Sequence, residues 1–179
     1  FEVIQMLSKI LEGIEQKNAS NKSRRDRQKQ LNVLEVGYLW DILTSRYQTI
    51  ETTKILVNFA QDTDLKLILQ QGVKFLQKEI EKLETIAVDY GIPTVKKPSE
   101  NPLSIFETEV ITDEYIYTNT LAGMQSYMPT LIIAFTHCTS SMIRSMFQEF
   151  LTNEMELYSD YIEYGILKGW VKSPPAYRL

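Results

Sequence analysis

The stretch EYIYTNTLAGMQSYMPTLIIAFTHC, residues 114–138, has no Lys, Arg, Asp or Glu after Glu114 and is apolar on most sides. Tyr117, Leu121, Met124, Met128, Leu131, Phe135 and Cys138 recur at alternating spacings of three and four. That spacing aligns them on one face of an α-helix. A helix that is apolar nearly all round has to be covered by other helices or by lipid. Asn119, Gln125, Pro129 and His137 interrupt the run, and its flanks lack the charge pattern of a membrane span. The reading is therefore the central helix of a bundle, with no transmembrane segment and a kink expected at Pro129.

Outward from this stretch the same periodicity continues. Helix one is expected over residues 31–58, along Val36, Leu39, Leu43, Tyr47, Ile50 and Val57, with Trp40 beside the stripe. Asp62-Thr63-Asp64 supplies a cap and first-turn acids for helix two, expected over residues 63–90. Gly91 and Pro93 form a stop signal behind it. Residues 92–110 hold three prolines and no periodicity. Extended, these residues reach roughly 60 Å, more than the ~40 Å of a 27-residue helix, so the connection is long enough to cross a bundle. Helix three is expected over residues 112–139. Thr139 or Ser140 caps helix four, which Gly169 ends. The fold class is all-α: a ferritin-like four-helix bundle with a long connection between helices two and three.

The amino-terminal residues stand apart. Residues 1–17 pattern as an amphipathic helix through Val3, Ile4, Leu7, Ile10, Leu11 and Ile14, a face that must cover its own bundle or a second copy. Residues 18–30 are polar and basic, read as a solvated linker with an anionic docking patch as the alternative. The division is thus an amino-terminal helix and linker over residues 1–30 and a bundle domain over residues 31–179. Residues 1–30 carry +3, leaving −7 on the remainder of a chain whose net charge is −4. An acidic body argues against nucleic acid as the main partner. Glu2, Lys9 and Glu12 interrupt the first apolar pattern, which does not match an export signal.

Candidate chemistry is sparse. Ferritin-type di-metal centres need a Glu on each of two helices and a Glu-x-x-His on each of the others. The one histidine, His137, follows Ala134 at that spacing, so the motif is absent. Its expected place is the core or an interface. Four acids fall near the apolar stripes, one per helix: Glu35, Glu79, Glu114 and Glu154. Carboxylates alone can hold iron or manganese, but Glu35 and Glu114 lie near helix starts and only Glu79 and Glu154 share a mid-bundle depth. Cys138, the single cysteine, reads as a small buried hydrophobe and allows no internal disulfide. A cavity opened at Pro129 is a third possibility, with no ligand named.

Leu39-Trp40, Asp62-Thr63-Asp64-Leu65, Glu79-Ile80, Gly91-Ile92-Pro93, Thr112-Asp113-Glu114, Met146-Phe147 with Phe150, Gly169-Trp170 and Pro174-Pro175 occur in that order. In this order and spacing the chain resembles, over residues 34–177, a ferritin-like family of unknown function from spore-forming bacteria, related to spore coat protein F. The resemblance implies a paired antiparallel bundle, a cytoplasmic or spore-associated setting, and no established catalytic activity. Some members carry histidines where this chain has Asn58-Phe59 and Leu151, a departure that weakens any metal site. The expectation is a non-enzymatic structural or interaction protein without a cofactor, a homodimer through helical faces, with coat proteins as further partners. The rival is a carboxylate-bridged iron or manganese oxidase or metal-handling protein using Glu79 and Glu154, with Glu35 or Glu114.

Overall fold

The computed structural model describes residues 24–99 and 111–172. Within them are a short helix, α1 (Arg24–Gln28), and four long ones: α2 (Val33–Phe59), α3 (Thr63–Tyr90), α4 (Asp113–His137) and α5 (Ser141–Lys168). The expected amphipathic helix over residues 1–17 lies outside the described residues, as do residues 100–110 and 173–179.

Local chemistry sets the helix ends. Asn32 and Glu35 form a reciprocal capping box at the start of α2, and Asp62, Thr112 and Ser140 cap α3, α4 and α5. Each cap satisfies backbone N–H groups that have no partner within the helix. Gly91 and Gly169 end α3 and α5 at φ 65° and 72°, a left-handed conformation that glycine adopts without a Cβ penalty. Pro129 sits inside an unbroken α4.

Contacts at the helix ends fix the directions. Asn32, before α2, donates to Thr139, after α4, at 3.2 Å. At the other end Asp113 of α4 accepts from the backbone of Gln61 and Asp62 at 2.8 and 2.9 Å. Lys168, closing α5, reaches Asp62 there at 2.6 Å. Thus α2 and α5 run one way and α3 and α4 the other. The chain leaves α3 at one end of the bundle and enters α4 at the opposite end. The α2–α3 and α4–α5 hairpins pack along their lengths, and α4 also meets α2. The basic segment is not wholly solvated, because α1 lies on α3, with Arg27 Nε donating to the Asp89 carbonyl at 3.1 Å.

The core fills the space between the two hairpins. Leu39, Leu43, Leu76, Leu83, Tyr127, Leu131, Phe147 and Phe150 belong to one buried cluster, and the driving force is removal of this apolar surface from water. One expectation needs correction and a second narrows. The 114–138 helix is a corner of the bundle, not its centre: Ile116, Tyr117, Met124, Tyr127, Leu131 and Ala134 face inward, whereas Tyr115, Ile132 and Ile133 are about half exposed. His137 is exposed in the single chain, with Nδ1 2.8 Å from the Ile133 carbonyl, so of its two expected places, core or interface, the core is excluded. Cys138 is buried as expected, and burial, followed by the nearby Glu35, pushes its thiol up to about 11. That makes it a packing residue rather than a nucleophile.

Candidate functional site

Every long helix sends one polar or aromatic side chain to the middle of the bundle: Arg46 from α2, Glu79 from α3, Tyr127 from α4 and Glu154 from α5. Arg46 Nε lies 2.6 Å from a Glu79 oxygen, and Arg46 Nη2 lies 2.7 Å from Glu154. All three charged residues are 3% exposed. The Tyr127 ring lies beneath the guanidinium, 3.6 Å from ring centre to Cζ, a cation–π contact strengthened by the absence of competing water. Planar, always charged and equipped with several donors, arginine suits a position between two carboxylates where lysine would not.

The electrostatics of this centre follow from burial. Burial alone would lower the Arg46 pKa, but Tyr127, Glu79 and Glu154 together hold it above its ordinary value. Burial pushes the Glu79 carboxyl up to about 7, against the pull of Arg46 and with help from the Glu154 charge. One cation thus faces two acids, and Glu79 is the acid driven toward its neutral form. Neither Glu79 oxygen makes a well-directed hydrogen bond within the protein, the 2.6 Å contact with Arg46 Nε being an ion pair.

The four acids singled out in the sequence fall in three places. Glu79 and Glu154 meet at the centre through Arg46. Glu35 is fully buried near one end. It closes the α2 capping box and accepts from the Thr139 and Ser140 backbone N–H groups at 2.6 and 2.7 Å, tying the α4–α5 turn to the start of α2. Glu114 is exposed on α4. Iron or manganese shared by Glu79 and Glu154 would have to lie beside the Arg46 guanidinium, whose charge repels it and which already pairs with both carboxylates. The residues at the centre therefore do not fit a di-metal pair. Nor do three or more His, Cys, Asp or Glu side chains gather as a potential metal site anywhere among the described residues. Arg46 itself was missed in the sequence, although its spacing with Leu39, Leu43 and Ile50 places it on the buried stripe of α2.

A second constellation lies toward the α5 carboxyl end. Tyr117 stacks on Tyr161 at 4.7 Å, and Tyr164 and Trp170 pack around them. Beside this aromatic cluster Lys168 bridges Asp62 and Asp64 at 2.6 and 3.1 Å. The Lys168 hydrogen bond, with backbone N–H groups of α3, holds Asp62 down at about 2. Gly165 admits the Tyr117 ring, because a Cβ there would overlap its hydroxyl. These contacts lock helix ends together; none exposes a reactive group.

Two clefts flank the central triad. One, of about 340 Å³ between α3 and α5, is bordered by Glu79, Lys82 and Glu149. The other, a groove of about 680 Å³ on the α2–α4 side, reaches Arg46, Tyr127 and Glu154. Among the described residues no helix is long and apolar enough to cross a membrane.

Comparison with solved structures places the same fold elsewhere. A protein from Bacillus halodurans C-125, described as a "putative spore coat protein", is 19% identical, with a TM-score of 0.77 over 87% of this chain and 99% of that one. A conserved hypothetical protein from Mycobacterium tuberculosis, rv2844, is 10% identical, with a TM-score of 0.62 over 74% of this chain and 98% of that one. No curated protein matches the sequence. Residues 20–178 match the family described as protein of unknown function DUF3231, and the chain belongs to that family.

Proposed function

We propose that the protein is a non-enzymatic structural or interaction protein, spore- or coat-associated, built on a ferritin-type bundle whose centre is held by an arginine instead of metal. The observation that carries this reading is Arg46, which bridges Glu79 and Glu154 at 2.6 and 2.7 Å where bundles of that type gather their metal ligands. Helix order and the long 91–112 connection support the ferritin-type assignment. The description of the Bacillus halodurans relative supports the spore setting, with coat proteins as partners.

A scaffold acts through its surface. Tyr115, Ile132 and Ile133 on α4 and Met155 and Ile166 on α5 are each about half exposed or more, apolar area that a second copy would cover. Self-association is the part of the reading open to immediate test. Multi-angle light scattering of the full chain at micromolar concentration is expected to give twice the 20.8 kDa chain mass. A strict monomer across that range would contradict the dimer and leave only heterologous partners.

A further inference from the structure

The α2–α4 groove has a chemical character that the scaffold reading does not use. Its volume of about 680 Å³ lies within the span of small-molecule sites. It extends from Asp41 to Leu56 along α2, roughly 22 Å at the helical rise, so it is long rather than round. Three of the hydroxyl side chains that line it have their protons committed. Thr49 donates to the Ser45 carbonyl at 2.9 Å, Thr53 to Thr49 at 2.8 Å and Ser126 to Gly123 at 2.9 Å. A hydroxyl has a single proton, so what these groups offer the groove is lone pairs. Asn119 spends one of its two amide N–H bonds on the Tyr115 carbonyl at 2.8 Å and keeps a carbonyl oxygen as acceptor.

Charge points the same way. The charged side chains on the groove wall are Asp41, Arg46 and Glu154, and Arg46 is already bridged to both glutamates. Asp41 makes no ion pair among the described residues and is exposed. At the floor the Tyr127 ring lies under the Arg46 guanidinium. Leu56, Ile68 and Met124 add apolar wall between these acceptors. A long, acceptor-rich, net-negative groove with apolar intervals complements a flexible chain of methylenes carrying ammonium groups.

We propose that the α2–α4 groove binds a linear aliphatic polyamine, its ammonium groups donating to Asp41 and the threonine and serine oxygens and its methylenes lying on Leu56, Ile68 and Met124. The proposal is independent of the scaffold reading, so either can fail alone. Its test is an amide-shift NMR titration of the full chain with spermidine, run beside triethylene glycol (neutral, similar length) and magnesium (a compact cation). Saturable shifts confined to the groove-lining residues of α2, α3 and α4, including Thr49, Ile68, Gly123 and Ser126, are expected with spermidine. Nothing lies within 4 Å of a Cβ added at Gly123, so Gly123→Leu starts its side chain in open space on the groove wall. It and Asp41→Asn are each expected to weaken the apparent Kd by about tenfold or more. No saturation by about 10 mM spermidine, the same shifts with magnesium or triethylene glycol, or an unchanged Kd in Gly123→Leu would overturn the proposal. If Gly123→Leu does not fold, an unchanged Kd in Asp41→Asn overturns it instead.

Discussion

Replacing Arg46 by Met would leave Glu79 and Glu154 buried with no cation between them. Unpaired buried charge is costly, and the expected loss is about 3–5 kcal/mol in urea unfolding at pH 8. Glu79 supplies a sharper test because its folded value, about 7, stands above its ordinary 4.5. As pH rises from about 4.5 to 7, the unfolded chain releases a proton that the folded chain retains. Stability is therefore highest below that window and falls through it, by on the order of 3 kcal/mol for this group. Glu79→Gln mimics the protonated acid. The expected result is wild-type stability that drops between pH 5 and pH 8 and a Glu79→Gln variant with a visibly flatter profile. Equal slopes in the two proteins would show that Glu79 is already ionised in the fold.

At the scale of the helices, three glycines and one glutamate separate packing from propensity. Gly165 on α5 lies against the Tyr117 ring, so Gly165→Ala forces a shift of a stacked, buried tyrosine. The expected cost is about 1–3 kcal/mol, despite alanine's better helix propensity. Gly72 and Gly123 have open space where a Cβ would go, and alanine at either should raise stability by about 0.5–1 kcal/mol. A thermal-unfolding series of the three variants checks the contrast. Glu35→Ala removes both the α2 capping partner and the acceptor for Thr139 and Ser140. About 2–3 kcal/mol should be lost, with faster hydrogen exchange at the start of α2 and in the α4–α5 turn.

These same elements show what was legible before any coordinates. The bounds of α3 and the caps at Asp62 and Ser140 follow from local backbone chemistry, which residues a few positions apart determine. The role of Glu35 did not, because its acceptor duty runs to residues more than a hundred positions away. The 114–138 run misled about burial for a similar reason. Composition showed that the helix was apolar, but only the neighbours decide which of its faces is covered, and Tyr115, Ile132 and Ile133 were left outside. Arg46 was hidden by its type. Arginine on a stripe usually reaches out to solvent, and the matching carboxylates come from α3 and α5.

For the whole molecule, the up-down-down-up arrangement brings one side chain from each long helix to a common depth, and the content of that point decides what kind of protein this is. With one guanidinium between two carboxylates, and Glu79 driven toward its neutral form, the centre approaches charge balance from its own side chains. The measurement that tests this most directly is metal content, by plasma mass spectrometry, of untagged protein purified without chelator. The account predicts iron and manganese far below one equivalent per chain, with thermal unfolding unchanged by added chelator. Near-stoichiometric metal that disappears in the Glu79→Ala, Glu154→Ala double variant would contradict it, and would require Arg46 to leave the two carboxylates it bridges.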